Sequence, residues 1–354
     1  MTTSTDGFTL PSGFDSLAGH GRVLETVTDA LDAVETQLHE ALTNDDVFAE
    51  TASRHLLTAG GKRIRPVLTV MAALIADPEI GSGQVASVNA EVRQAAVVME
   101  LTHLATLYHD DVMDEAPVRR GVETAHRLWG NSAAILAGDL VFARASQLMS
   151  ELGPRAVRVQ SDTFERLVMG QLWETRGVQD GEDHLEHYLK VIGGKTASLI
   201  AASGMLGSLL GGADEDTVQI LAAYGEEVGL AFQLADDLID LTSTEEQLGK
   251  APGTDLREGV PTLTTILLRR EAAGQGAEAE SAREVLELVD GPLDSDAQLA
   301  AAVAAVTGHP VMERAWEMTR AHAAKAREIL APLPDSVVKD ALAGFADYVV
   351  DRAS

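Results

Sequence analysis

The chain has 354 residues, 45% of them hydrophobic and 23% charged, a length and balance that can bury a full core and that exclude intrinsic disorder for most of the sequence. The absence of cysteine removes disulfides, thiolate metal sites and thiol nucleophiles, and leaves oxygen ligands and carboxylate chemistry. Lys+Arg 27 against Asp+Glu 55 give a net charge of −28, which repels nucleic acid and anionic membranes, so a polyanionic ligand needs a local basic pocket or bridging cations.

Residues 1–20 hold no basic residue ahead of a long apolar run and no small-residue cleavage pattern, and are expected as a flexible tail, not a secretory leader. From Gly21 onward apolar residues recur at three- and four-residue spacing and β-branched alternation is almost absent. Residues 21–354 are therefore expected to form a single all-α domain of roughly a dozen helices. Breaks fall at Gly60-Gly61, Asp77-Pro78, Ala116-Pro117, Gly153-Pro154, Gly211-Gly212, Ala251-Pro252-Gly253, Gly291-Pro292, His309-Pro310 and Leu333-Pro334. No fixed repeat suggests a solenoid, and the Ala-, Glu- and Gly-rich stretch 272–306 is expected at the periphery of the same domain. No window offers 18 uncharged apolar residues, so no transmembrane segment is expected and the location is expected to be cytoplasmic.

Two helices, 91–115 and 217–242, are apolar nearly all round and each ends in a D-D-x-x-D motif: Asp110-Asp111-Val112-Met113-Asp114 and Asp236-Asp237-Leu238-Ile239-Asp240. At about 100° per residue the first and last Asp of each motif lie about 40° apart on one face and about 6 Å along the axis, able to grip one cation. Carboxylates there oppose the helix dipole, so packing alone does not account for them. Oxygen-only ligands suit Mg²⁺, which keeps waters and bridges to phosphates. Glu100-Leu-Thr-His103 is half of a four-helix di-iron ligand set, which would need a second E-x-x-H on a partner helix.

Positive charge gathers beside glycines at Gly60-Gly61-Lys62-Arg63-Ile64-Arg65, Arg119-Arg120-Gly121, Gly193-Gly194-Lys195-Thr196 and Gly249-Lys250. Basic residues where the backbone can approach closely handle phosphate, and Gly194-Lys195-Thr196 lacks the upstream glycines of a nucleotide-binding P-loop. Two acidic clusters and four cationic patches describe a pocket for more than one diphosphate, with apolar helix walls for a hydrocarbon tail.

With these motifs in this order, joined by Gly138-Asp139, Phe232-Gln233 and Gly253-Thr254-Asp255-Leu256, the chain resembles the trans-polyprenyl diphosphate synthases from about residue 20 to 350. The resemblance implies an isoprenoid-synthase-type helical bundle with a deep central cavity, usually a homodimer, that joins isopentenyl diphosphate head-to-tail to an allylic diphosphate. It implies three Mg²⁺ ions held by Asp110, Asp114 and Asp236, with Asp111, Asp237 and Asp240 in support. Arg119, Lys195, Gln233 and Lys250 would hold the allylic diphosphate; Lys62, Arg65, His103 and Arg120 would hold isopentenyl diphosphate. Thr196 and Gln233, with carbonyls near Lys195, would stabilise the carbocation. The helical repeat agrees at one independent point, since His103 lies two turns before Asp110, within about 20° of its face.

The family commonly reads G-K-x-T-L-P where this chain has Gly259-Val260-Pro261-Thr262-Leu263-Thr264, so one diphosphate-holding lysine is replaced by Val260. Product length in such an enzyme depends on what blocks the tail below Asp110. The family points to Ala105, whereas a helical wheel places Thr106, His103 and Met99 nearest the Asp110 face. Both Ala105 and Thr106 are small, and Met99 lies about 16 Å below Asp110, which leads us to expect a product longer than geranylgeranyl diphosphate, of the quinone side-chain type. The alternatives are a short-chain geranylgeranyl or farnesyl diphosphate synthase, a class I terpene cyclase and a catalytically silent partner subunit. A cyclase binds one diphosphate and has no need of Lys62, Arg65 and Arg120, and a silent subunit can dispense with aspartate motifs that are intact here.

Overall fold

The computed structural model describes residues 9–77, 87–243 and 252–352. A 3-10 turn, Asp15–Gly19, precedes α1 (Gly21–Ala41), α2 (Val47–Thr58), α3 (Ile64–Ile75) and α4 (Ala90–Met113). Two short strands, β1 (Val118–Arg119) and β2 (Val122–Glu123), lead into α5 (Ala125–Trp129), α6 (Asn131–Ser150) and α7 (Pro154–Arg176). Then come α8 (His184–Ile192), a π-helical turn (Gly193–Ala197), α9 (Ser198–Leu210) and α10 (Glu215–Thr242). The chain continues with α11 (Thr254–Glu258), α12 (Leu263–Ala272), α13 (Ala277–Val289), α14 (Asp296–Thr307), α15 (Val311–Ile329) and α16 (Val337–Asp351). The molecule is all-α, as its periodicity requires, and among the described residues no helix is long and apolar enough to cross a membrane.

Helix starts follow their caps. Asp46 accepts the Ala49 N–H, Asn89 the Val92 N–H and Asp183 the N–H groups of Leu185 and Glu186, each satisfying donors that the first turn leaves open. Ser295 and Gln298 close a reciprocal capping box at α14.

The chain divides into two compact units. The first comprises Met1–Glu165, Leu199–Gly225 and Ile329–Phe345. Its core surrounds α4, which is buried on every side through residues such as Ala95, Val98, Met99, Leu101, Leu104 and Tyr108. The Tyr108 hydroxyl donates to Ala52 O (2.6 Å) and accepts from Leu56 N (3.2 Å), so the one polar atom of a large buried ring is satisfied. Packing is close enough to demand glycine: a Cβ on Gly207 would sit 2.1 Å from Thr69 O, and one on Gly138 would sit 2.5 Å from His109 Nε2. Phe14 and Leu17, inside the stretch expected as a tail, are buried, with Phe14 stacked 4.8 Å from Phe345.

The second unit comprises Arg166–Ser198, Glu226–Glu328 and Ala346–Ser354. Leu234, Leu238 and Leu241 of α10 lie in its core with Tyr188, Leu256, Leu263 and Ile266. The stretch 272–306, expected at the periphery, supplies Ala282, Val285, Leu299, Ala302 and Val306 to that core.

Candidate active site

In the first unit α4 delivers His103, Asp110 and Asp111 in succession and ends at Met113, with Asp114 as its C-cap in αR geometry. The four-residue spacing of Asp110 and Asp114 therefore survives the helix end; Asp110 is half-buried and Asp114 exposed. Asp111 points elsewhere: it is buried, Arg119 Nε donates to its Oδ1 at 2.7 Å, and its Oδ2 has no hydrogen-bond partner among the described residues. Arg119 and Arg120 sit on the β1–β2 ribbon, where Arg120 (φ 53°) and Gly121 (φ 78°) occupy the two left-handed positions of a type I′ turn. Arginine in that conformation carries a strain of about 1–2 kcal/mol, and two carbonyls hold it there: Arg120 Nη1 donates to Leu56 O (3.0 Å) and to Gly60 O. Gly61 makes room for it, since a Cβ there would come within 2.9 Å of the guanidinium carbon.

Beneath these arginines lies Glu100, 2% exposed, with Arg63 Nη1 at 3.1 Å and Arg120 Nη2 at 3.8 Å. Arg63 is gripped on its other edge by Glu35 through Nε (2.8 Å) and Nη2 (2.9 Å), a bidentate pair that outweighs burial and holds the Glu35 carboxyl below its usual range. Arg65, half-buried in the first turn of α3, keeps its Nε without a hydrogen-bond partner among the described residues. Burial pushes its pKa down to about 10, with Arg120 adding to the effect and Glu100 opposing it. His103 is held neutral: burial first, then Arg65, Arg120, Arg119 and Arg63, keep its pKa well below the ordinary value. Lys62 is exposed on the loop before α3. Lys62, Arg65, Arg120 and His103 are thus gathered in one unit with Asp110 and Asp114.

The residues expected below the metals lie inside this unit. Ala105 is buried and its carbonyl would stand 3.1 Å from a Cβ on Gly138; Thr106 donates its hydroxyl to His103 O (2.7 Å); Met99 is fully enclosed in the core.

In the second unit the π-helical turn carries Lys195 and Thr196. Gly170 and Gly194 let α7 approach it, because a Cβ on Gly170 would lie 2.7 Å from Lys195 N and one on Gly194 2.8 Å from Arg166 O. Lys195 is ion-paired with Glu174. A hydrogen-bonded chain then runs from Thr196 Oγ1 to Gln233 Oε1 (2.9 Å), and from Gln233 Nε2 to Asp237 Oδ1 (2.9 Å). The Tyr188 hydroxyl donates to Asp237 Oδ2 at 2.5 Å. Asp237 is buried, which pushes its carboxyl up to about 7 with Asp255 and Asp236 adding to the rise, against the lowering effect of Tyr188 and Gln233. Asp236 is half-exposed and paired with Arg352 Nη2 at 2.9 Å. Asp240 is buried beside the start of α11, and its Oδ2 accepts from Asp255 N at 3.4 Å. Lys250 lies outside the described residues. Val260 is exposed, just after the left-handed Gly259.

The donor set fits a hard divalent cation: carboxylate oxygens spaced one turn apart, with a buried Asp111 oxygen lacking a partner among the described residues. Among the described residues no three acidic or histidine side chains form a cage. Mg²⁺ asks for none, since it takes one or two carboxylates together with water and phosphate oxygens.

Several participants escape the motif reading. Glu100 belongs to an E-x-x-H that looks like half of a metal site and is instead the counter-ion of Arg63 and Arg120. Glu35 and Tyr188 carry no local signal, and neither does Arg352, since each acts on a partner remote in sequence. Glu174, 21 residues before Lys195, could have been found only from the spacing of α7 to the π turn.

Comparison with known proteins bears directly on this arrangement. The sequence profile described as polyprenyl synthetase matches residues 47–305. The chain is 46% identical to a nonaprenyl diphosphate synthase of Mycobacterium tuberculosis, over 90% of each chain. It is 35% identical to an octaprenyl diphosphate synthase of Escherichia coli, over 94% of this chain and 98% of that one. Among solved structures, a polyprenyl synthase from Caulobacter crescentus, complexed with calcium and isoprenyl diphosphate, matches with a TM-score of 0.81 and 31% identity, over 95% of this chain and 98% of that one.

Proposed function

The chain belongs to the polyprenyl synthetase family and is a prenyltransferase, and from that premise we propose that it elongates an allylic diphosphate with isopentenyl diphosphate to a long polyprenyl diphosphate, using the residues described above. One observation carries the assignment of substrates to sites: Arg65 and Arg120 are gathered around a neutral His103 on the helix that carries Asp110 and Asp111 and is capped by Asp114.

Those cations receive isopentenyl diphosphate, with His103 able to donate a hydrogen bond without adding a charge that would need compensation. Arg119, Lys195, Gln233 and Lys250 receive the allylic diphosphate, and Lys195 exchanges Glu174 for a phosphate oxygen when it does so. Asp110, Asp114 and Asp236 are the cation ligands. Asp111 orients Arg119, Asp237 is braced by Tyr188 and Gln233, and Asp240 anchors the backbone of the following segment. Bound Mg²⁺, three ions by the family resemblance, would supply positive charge against the departing diphosphate. The allylic C–O bond ionises, the isopentenyl double bond attacks the cation so formed, and a proton leaves to the released diphosphate. Thr196 and Gln233, linked by a hydrogen bond, present dipoles to that cation.

The nonaprenyl and octaprenyl relatives support a long product, as do the small side chains of Ala105 and Thr106. A homodimer is part of the proposal; the exposed Ile135 and Leu136 of α6 suit a surface that a second copy covers, and light scattering should return twice the chain mass.

The test is incorporation of labelled isopentenyl diphosphate by the purified protein with Mg²⁺ and farnesyl diphosphate, with product sizing. Products longer than geranylgeranyl diphosphate are expected, and no incorporation would overturn the reading. Ala105→Phe should shift the distribution to shorter chains, and an unchanged distribution removes Ala105 as a length determinant.

A further inference from the structure

Arg352 is held more firmly than the carboxylate it faces. Its Nε donates to Val349 O (3.2 Å), its Nη2 to Phe232 O (3.0 Å), and its guanidinium carbon lies 4.2 Å over the Phe232 ring. The same Nη2 stands 2.9 Å from Asp236 Oδ1, and the side-chain exposures are 8% for the arginine and 52% for the aspartate. Two carbonyls and an aromatic face fix the cation from behind, while the carboxylate remains half open in front.

We propose that Arg352 is a fixed counter-ion of Asp236 that suppresses cation binding at this carboxylate until a diphosphate arrives, so that cation and diphosphate load together. The inference rests on the reading of Asp236 as a cation ligand. With Arg352 present, Asp236 is already neutralised and a divalent ion alone adds two uncompensated charges beside a guanidinium. A diphosphate of about −3 reverses the balance, since it is attracted by both the ion and the arginine. Arg352 therefore disfavours the ion alone and favours the pair, which is a coupling between two ligands. The repulsion of a divalent ion by a unit charge a few ångströms away, at the effective dielectric of a half-open site, corresponds to about a tenfold loss of affinity or more.

The experiment measures binding and involves no turnover. Free Mn²⁺ is counted by electron paramagnetic resonance in titrations of the full chain, with and without inorganic pyrophosphate. Arg352→Gln is expected to bind Mn²⁺ alone about tenfold more tightly than the unsubstituted protein, and pyrophosphate should enhance Mn²⁺ binding less than it does there. Arg352→Lys, which keeps the charge, should stay close to the parent. Arg352→Met retains an apolar stem against Phe232 and serves where the Gln variant melts early. Unchanged or weaker Mn²⁺ binding by a folded, neutral variant in the absence of pyrophosphate overturns the proposal. Asp236→Asn separates the two possible failures. If the Asn variant both binds Mn²⁺ and elongates like the parent, the assignment of Asp236 as a ligand has failed. If it loses both while Arg352→Gln shows no gain, only the counter-ion role has failed.

Discussion

His103 sits where protonation is penalised from several directions. Burial disfavours the imidazolium first, and Arg65, Arg120, Arg119 and Arg63 add like charge around it. An unfolded chain leaves the same ring with a pKa of about 6.5. As pH falls through that value the unfolded state takes up a proton that the folded state declines, so this residue costs stability progressively below about 6.5 and contributes nothing above it. His103→Gln removes that term while keeping a side chain able to donate a hydrogen bond. The difference in urea midpoint between the two proteins should therefore be small at about pH 7.5 and grow in favour of the variant toward about pH 5. A difference independent of pH would mean that His103 takes up a proton as readily in the folded protein as in the unfolded chain, and with that the neutral-donor role proposed for it at the isopentenyl diphosphate site would fall.

Helices α4 and α6 approach so closely that their contact depends on a missing methyl group. A Cβ on Gly138 would stand 2.5 Å from His109 Nε2 and 3.1 Å from Ala105 O, and the second of these is backbone that cannot swing aside. Gly138→Ala should cost about 1–3 kcal/mol in thermal or urea unfolding and, by shifting the turn that carries Asp110, reduce turnover more than it changes the helix content seen by circular dichroism. Loss of helix content to the same degree as turnover would place the damage in folding and not in the position of Asp110. The helices themselves were legible because apolar spacing, caps and Gly/Pro breaks all point the same way, as at Gly153-Pro154 before α7 and Gly211-Gly212 before α10. The β1–β2 ribbon was not, because two-residue strands carry no alternation and Arg120-Gly121 is not the Asn-Gly pair that announces a type I′ turn. The aspartate and basic motifs were readable as chemistry from their spacing. Their supports were hidden: Glu35 meets Arg63 across 28 residues and Tyr188 meets Asp237 across 49, distances over which pattern in a sequence conveys nothing about contact.

At the scale of the whole molecule the net charge of −28 works against the substrates, which are themselves anions. Two fields compete at the proposed isopentenyl diphosphate site: a near one from Lys62, Arg65 and Arg120, and a far one summed over 55 acidic side chains. Salt separates them by range. At an ionic strength of about 0.01 M the screening length is about 30 Å and the far field reaches the site; at about 0.15 M it is about 8 Å, and only the nearby cations are felt in full. With free Mg²⁺ held constant, the KM for isopentenyl diphosphate should accordingly fall as KCl is raised across this range. It should rise again toward about 1 M, where a screening length of about 3 Å weakens even the contacts with Arg65 and Arg120. Arg65→Gln removes part of the near field and leaves the far one, so its KM should lie higher throughout while the fall at low salt persists. A KM that climbs steadily from the lowest salt would mean that the local cations already outweigh the rest of the protein, and that the surface acidity has no say in how these substrates are captured.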